Sequence, residues 1–163
     1  MKKIVLVILS LFIILTGCST TKTQQTSSQK QASDSQRLLQ PKQVVENYFK
    51  YLNEKNKKAL FTTITEWQKA PNVEWGFDVR EYIKLISVKE ETNPVFKEGY
   101  LSNGRGSING VKKENVKVYK VDYDVKYKED AITAEDNGKN TSWFFVVRKD
   151  KNSPWLIDSQ GQP

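Results

Sequence analysis

The feature that most constrains the fold of this chain is a regular alternation of apolar and charged residues over positions 116–128. Because successive side chains of a β-strand point to opposite sides, the alternation predicts one long strand with a buried face and a solvated face. Val116 and Val118 fall on the opposite phase, which predicts a bulge or bend near Tyr119. The buried face is expected to consist of Tyr119, Val121, Tyr123, Val125 and Tyr127.

A helix is predicted to begin at Pro41 and to pack on the sheet that contains this strand. Proline suits the first helical position, and Leu39 and Val44 have the spacing of a hydrophobic staple. Apolar residues then recur along one stripe, as in an amphipathic helix. The stripe consists of Val44, Val45, Tyr48, Phe49 and Leu52.

Two shorter helical segments are predicted to follow. Asn56 is suited to cap a helix that runs through Leu60 and Ile64. Asp78 and Glu81 have the spacing of a capping box, which predicts one further helical turn before the chain becomes extended.

Three more strands are predicted at 85–91, 141–148 and 155–157, separated by turn dipeptides such as Asn137-Gly138. The strand at 141–148 is apolar on both faces, which is typical of a central strand covered on each side. The residues from 104 to 110 contain three glycines without the spacing of a phosphate-binding loop, and they predict a mobile hairpin loop. The fold class is therefore α+β, with N-terminal helices packed on a curved antiparallel sheet of about four strands.

The beginning of the chain resembles a signal segment at residues 1–17. Lys2 and Lys3 precede a run from Ile4 to Leu15 that is apolar except for one serine and is shorter than the roughly 20 residues of a membrane-spanning helix. The tetrapeptide at 15–18 resembles the bacterial lipoprotein signal. This resemblance implies cleavage between Gly17 and Cys18, lipid on the Cys18 sulfur, and a place on the outer face of the cell membrane, most typically in a bacterium of Gram-positive type.

Two alternatives for this segment remain open, namely an ordinary signal peptide with an incidental cysteine and an uncleaved membrane helix. Residues 18–40 are dominated by Ser, Thr and Gln and have too little apolar surface to fold, so they predict a disordered tether. A specific recognition segment is the alternative there. Residues 41–163 are expected to form a single domain.

The composition excludes several classes of chemistry. The chain has no histidine and one cysteine, so a histidine-based triad, an intrachain disulfide and a cysteine-rich zinc site are all excluded. The predicted signal segment and tether carry more than half of the formal net charge of +7. The remaining domain has a mixed surface, for which we expect no nucleic-acid partner, and we expect neither a cofactor nor a metal.

Four segments carry a resemblance to a known fold. They are the helical stretch at 46–64, the alternating strand at 116–130, the NGK turn at 137–139 and SPWLID at 153–158. The helical stretch, the long hairpins and the end of the chain from Pro154 resemble the nuclear-transport-factor-two-like, or cystatin-like, fold. Within it, the strand, the NGK turn and SPWLID are similar to a family of small bacterial lipoproteins, the domain-of-unknown-function 4829 family. The resemblance covers residues 41–163 and implies a hollow between helix and sheet, but it brings no catalytic motif and no established activity.

No catalytic residue is predicted. Asp122 and Asp124 alternate with lysines on the polar face of their strand and are interpreted as cross-strand salt-bridge partners. The acidic residues Glu129, Asp130, Glu135 and Asp136 are interpreted as a solvated turn, with a weak calcium site as the alternative.

Aromatic residues give the one candidate ligand patch, formed by Trp67, Trp75 and Phe77 around a loop. Trp143 and Trp155 lie on predicted strands and are expected in the core. The leading hypothesis is a lipid-anchored, non-enzymatic module that binds a small ligand, an envelope component or a protein. The alternatives are an isomerase or hydrolase with a carboxyl group buried beside a tyrosine in the hollow, and a scaffold component of a secretion or conjugation apparatus.

Overall fold

The computed structural model of the chain describes residues 39–161, so the predicted signal segment, Cys18 and most of the predicted tether lie outside the described residues. The domain is α+β, as predicted, with one antiparallel sheet of four strands in the order β1-β2-β3-β4. The strands are β1 at Arg80–Glu90, β2 at Val116–Tyr127, β3 at Gly138–Val147 and β4 at Leu156–Gly161. Within residues 39–161, no helix combines the length and the apolarity needed to cross a membrane.

The first helix, α1 (Pro41–Asn53), confirms the prediction from the apolar stripe. The side chain of Gln43 accepts a hydrogen bond from the Gln40 backbone as part of a capping box, so the helix begins where Pro41 stands. All five residues of the predicted stripe are buried. They pack against the sheet in a first core that also contains Val121, Phe144 and Ile157.

The second helix, α2 (Lys57–Leu60), is shorter than predicted. Asn56 caps it through a 3.0 Å hydrogen bond that its side-chain oxygen accepts from the Ala59 N–H. The helix stops before Ile64 because the backbone there joins the sheet: Ile64 forms a parallel bridge with Ile157. A 3₁₀ turn follows at Glu66–Lys69.

The helical turn predicted from Asp78 and Glu81 is wrong. Strand β1 already begins at Arg80, which pairs with Tyr127 of β2. Pairing with the long alternating strand therefore takes precedence over the local capping pattern.

Two helices lie between β1 and β2, where a hairpin loop was predicted. They are α3 (Pro94–Ser102) and α4 (Arg105–Asn109). Asn93 caps α3 by accepting a 3.1 Å hydrogen bond from the Val95 N–H. Gly110 ends α4 with φ +66°, a left-handed conformation that glycine adopts without strain.

The bulge predicted near Tyr119 is also wrong. Strand β2 pairs with β3 in unbroken register from Val116 to Val125. Val116 and Val118 are buried on the opposite face of the sheet, in a second core with Tyr100, Trp143 and Val147. Val116 and Val118 are out of phase because β2 buries side chains on both faces of the sheet. Strand β3 is central and covered on both sides, as its sequence predicts.

Candidate functional site

A cavity of about 350 Å³ lies between α1 and the sheet, and we refer to it as the helix–sheet cavity. Apolar side chains of the first core form part of its wall, including Phe49 and Phe144. Its polar side chains are those of Tyr48, Arg80, Tyr123, Tyr127, Glu135, Ser142 and Gln160.

Glu135 places a carboxylate at this cavity. It lies half-buried in the connection between β2 and β3, and its two oxygens accept hydrogen bonds of 2.6 Å from Tyr123 and 2.5 Å from Tyr127. The connection folds back over the strand because the Asn137 side-chain oxygen accepts a 2.6 Å bond from the Tyr127 N–H. The acidic residues around Glu135 predict a solvated turn, and no local signal indicates that its side chain reaches a cavity.

Arg80 brings a positive charge to the same cavity. Its guanidinium carbon lies 5.5 Å from the centre of the Tyr127 ring, and Nη1 donates a 3.1 Å hydrogen bond to the Trp75 carbonyl. Its Nε atom is buried and has no hydrogen-bond partner among residues 39–161. A buried N–H without a partner is costly.

The tyrosines of the cavity are held in the protonated form. Burial raises the pKa of Tyr48 to about 12. Burial, together with the hydrogen bond to Glu135, also raises the pKa of Tyr123 and of Tyr127. At neutral pH all three hydroxyls are therefore hydrogen-bond donors.

A second polar cluster surrounds Asp158, whose side chain is buried in β4. Oδ1 accepts hydrogen bonds of 3.0 Å from the Thr65 hydroxyl and from Trp67 Nε1. Oδ2 accepts bonds of 2.7 Å from the Tyr100 hydroxyl and 3.0 Å from Asn109 Nδ2. Both carboxylate oxygens are therefore fully supplied with donors, and the cluster joins four separate segments of the chain.

This cluster forms the floor of an open groove of about 620 Å³, which we call the Asp158 groove. Trp67 of the predicted patch lies at this groove and is 45% exposed. The other two members pack against the first core, where the Trp75 ring centre lies 5.8 Å from that of Phe61 and Phe77 is partly buried. Trp143 and Trp155 are buried, as predicted.

The predicted salt bridges of Asp122 and Asp124 are replaced by hydrogen bonds from hydroxyl groups. Asp122 accepts bonds of 2.7 Å from Thr141 and 2.8 Å from Ser87. These two bonds lower the pKa of Asp122. Asp124 accepts a 3.3 Å bond from Tyr82. Within residues 39–161, no group of three or more Asp, Glu or Cys side chains is placed to hold a metal ion.

Comparison with known proteins identifies a family whose model matches this domain. The family model described as Domain of unknown function (DUF4829) matches residues 42–161. This range includes the residues that line the helix–sheet cavity and those that line the Asp158 groove. No curated protein and no solved structure matches the chain.

Proposed function

Because the chain belongs to the DUF4829 family, whose description names no activity, we propose a function from the helix–sheet cavity itself. The protein is a binding module, anchored by lipid on the outer face of the membrane, that holds a small polar ligand in this cavity. Its fold is of the nuclear-transport-factor-two-like type, in which a hollow between helix and sheet is the usual binding place.

The observation that carries the proposal is a cavity of about 350 Å³ whose wall combines Arg80, Glu135 and Tyr48. This volume suits a small molecule, since ligand pockets commonly measure about 300–1,000 Å³. Arg80 supplies a positive charge, Glu135 a negative charge and Tyr48 a hydroxyl, against an apolar wall. The combination favours a ligand with both charged ends and an apolar body, such as a free amino acid or a short peptide.

The binding proposal is tested by ligand-dependent thermal stability of the full chain in a neutral detergent. The probes are free amino acids and dipeptides. A ligand that binds only the folded protein raises the melting temperature, and the rise grows with the logarithm of the ligand concentration above the dissociation constant. We expect at least one probe to do so and Arg80→Gln to abolish the rise.

Lys84→Gln is the matched control, because Lys84 is exposed on the same strand and the change removes the same charge. The control is expected to keep the ligand-dependent rise. The proposal is overturned if no probe raises the melting temperature, or if Arg80→Gln keeps the full rise.

The anchor is tested separately by fractionation of cells that produce the full chain. The wild type is expected in the membrane fraction through lipid on Cys18, because two or three acyl chains hold a protein at a membrane almost permanently. Cys18→Ser is expected to release the protein, and Ser19→Ala, its neighbour, is the control that remains bound. A Cys18→Ser protein that stays in the membrane fraction after a high-salt wash contradicts the lipid anchor and supports an uncleaved helix.

A second candidate function, an isomerase or hydrolase that works in the same cavity, is favoured by the carboxylate of Glu135 beside two tyrosine hydroxyls. A carboxylate can take a proton from a ligand, and a tyrosine hydroxyl beside it can donate a hydrogen bond to an oxygen of the ligand. The discriminating variant is Glu135→Gln, assayed with any probe that raises the melting temperature. Turnover that disappears in this variant, with the thermal shift retained, supports the enzyme over the binding module.

A further inference from the structure

The residues that line the Asp158 groove carry a net positive charge. Four cationic residues contribute to its walls: Arg105, Lys112, Arg148 and Lys149. The two acidic residues of the lining are Glu66 and Asp158.

Both acidic residues are already engaged. Glu66 is paired with Lys69 of the same 3₁₀ turn. The Asp158 carboxylate accepts four side-chain hydrogen bonds, and the Arg105 Nε atom lies 3.9 Å from its Oδ2, beyond hydrogen-bond distance. The groove therefore has a net positive potential toward solvent.

Each arginine is held by an aromatic ring. The Arg105 guanidinium carbon lies 4.3 Å from the ring centre of Trp67, and that of Arg148 lies 4.6 Å from the ring centre of Trp155. Nε of Arg148 donates a 3.0 Å hydrogen bond to Asn115. A guanidinium held in this way keeps N–H groups available in its plane and loses little freedom when it binds an anion.

Donors in the groove also lack acceptors. Nε of Arg105 forms no hydrogen bond within residues 39–161, although it lies at ion-pair distance from Asp158. Lys112 and Lys149 are exposed, and neither forms a salt bridge within the same part of the chain. Two guanidinium groups and two ammonium groups thus face one open space.

From this arrangement we infer that the Asp158 groove is a binding site for a phosphate group, as a phosphomonoester or a phosphodiester. Phosphate presents several anionic oxygens, which suit planar guanidinium donors together with ammonium point charges. Asp158 contributes by fixing the elements that carry the donors, since Trp67 and Asn109 both donate to it. The exposed part of the Trp67 ring offers apolar contact to the group that bears the phosphate. This site is separate from the helix–sheet cavity and does not depend on the function proposed there.

The test is titration of the full chain in a neutral detergent with inorganic pyrophosphate, followed by tryptophan fluorescence. We expect saturable binding that weakens with added salt. Arg105→Gln is expected to lower the affinity roughly tenfold, in line with loss of a charge-assisted hydrogen bond. The double variant Lys112→Gln/Lys149→Gln is expected to weaken binding without a change in folding, because both side chains are exposed.

Lys89→Gln is the matched control, since Lys89 is exposed on β1, at the opposite edge of the sheet from β4, and the change removes the same charge. Absence of saturable binding overturns the inference. Equal losses in Lys89→Gln and in Arg105→Gln, each of which removes one positive charge, also overturn it, because they indicate a general charge effect. Near-ultraviolet circular dichroism of each variant is compared with that of the wild type, so that only variants that keep the fold are included.

A second arm identifies the source of the phosphate. The micelles are doped with phosphatidylglycerol or, as a control, phosphatidylcholine, and the pyrophosphate titration is repeated. If phosphatidylglycerol lowers the apparent affinity for pyrophosphate and phosphatidylcholine does not, the result supports phosphate recognition and assigns it to an anionic lipid headgroup. Unchanged pyrophosphate affinity in both micelles supports phosphate recognition and assigns it to a soluble phosphate compound.

Discussion

The hydroxyl of Tyr100 in α3 donates a 2.7 Å hydrogen bond to Oδ2 of Asp158 in β4, and both side chains are buried. Burial, with the hydrogen bond to Asp158 as the next cause, raises the pKa of Tyr100. The tyrosine is therefore a permanent donor to the carboxylate at neutral pH. The bond joins the helices between β1 and β2 to the strand at the opposite edge of the sheet.

Removing this donor is expected to destabilise the fold. Tyr100→Phe leaves the buried Asp158 carboxylate with one donor fewer, and the expected loss in the free energy of unfolding is about 1–3 kcal/mol. Urea denaturation measures it. Tyr51→Phe is the control, because Tyr51 is half-buried and its hydroxyl forms no hydrogen bond within residues 39–161. Equal stability of the two variants would contradict the role assigned to the hydroxyl.

Gly106 in α4 is expected to tolerate no larger residue. A Cβ at this position would lie 2.7 Å from Cε1 of the Tyr100 ring and 2.9 Å from the Tyr100 carbonyl oxygen. Gly106→Ala is therefore expected to cost about 1–3 kcal/mol through overpacking, as measured by urea denaturation.

Gly99 provides the matched control for that substitution. It lies in α3, and a Cβ there meets nothing within 4 Å. Gly99→Ala is expected to stabilise the protein by roughly 0.5–1 kcal/mol, because alanine restricts the unfolded chain and favours helix. Opposite signs for the two substitutions are the expected result, and a loss of equal size in both would show that the ring contact has no special effect.

Stability is expected to fall at alkaline pH, and Tyr48 is one of the tyrosines that cause the fall. Its pKa is raised to about 12 in the folded protein, whereas an unfolded tyrosine titrates near pH 10. The stabilising contribution is thus complete below about pH 10 and is lost as the pH rises toward about 12. Tyr48→Phe is expected to reduce this alkaline loss, as followed by phenolate absorbance and circular dichroism. An unchanged alkaline transition in the variant would contradict the assignment.

Asp122 is expected to contribute in the opposite pH range. Hydrogen bonds from Thr141 and Ser87 lower its pKa in the folded protein below the value of about 3.9 in an unfolded chain. The contribution is present above that unfolded value and is lost as the pH falls through the folded pKa. Asp122→Asn is expected to lower stability at neutral pH and to weaken its dependence on acid. Asp130→Asn, at an exposed position, is the control that should match the wild type in both respects.

The elements with a strong local period were predictable from the sequence. Helix α1 has a long apolar stripe, strand β2 alternates over many residues, and strand β3 is a short apolar run that follows a turn dipeptide, so these patterns are distinctive. Helices α3 and α4 were missed because they are short and because the Asn-Gly pairs at 103–104 and 109–110 favour a hairpin turn as well as a helix end. The phase of Val116 was misinterpreted because a second covered face has no local signal.

The polar sites were less predictable, because their members come from distant parts of the chain. Glu135 meets Tyr123 only when the β2–β3 connection folds back, and the sequence pattern around it is that of a solvated turn. Asp158 binds residues as distant as Thr65, and neither position carries a local motif for the contact. The aromatic residues around its loop predict Trp67 as a ligand residue, but its place at the Asp158 groove depends on hydrogen bonds that its Nε1 donates to Asp158 in β4.

Strand β4 also determines when the protein can finish folding. The Asp158 side chain receives hydrogen bonds from residues that precede it by 49 to 93 positions, and Ile157 belongs to the first core. During synthesis these partners leave the ribosome well before their acceptor does, so neither the cluster nor that core can close early. A chain that is exported before it folds, as the proposed signal segment requires, gains from such a delay, because the translocation channel then receives a polypeptide that has not yet become compact.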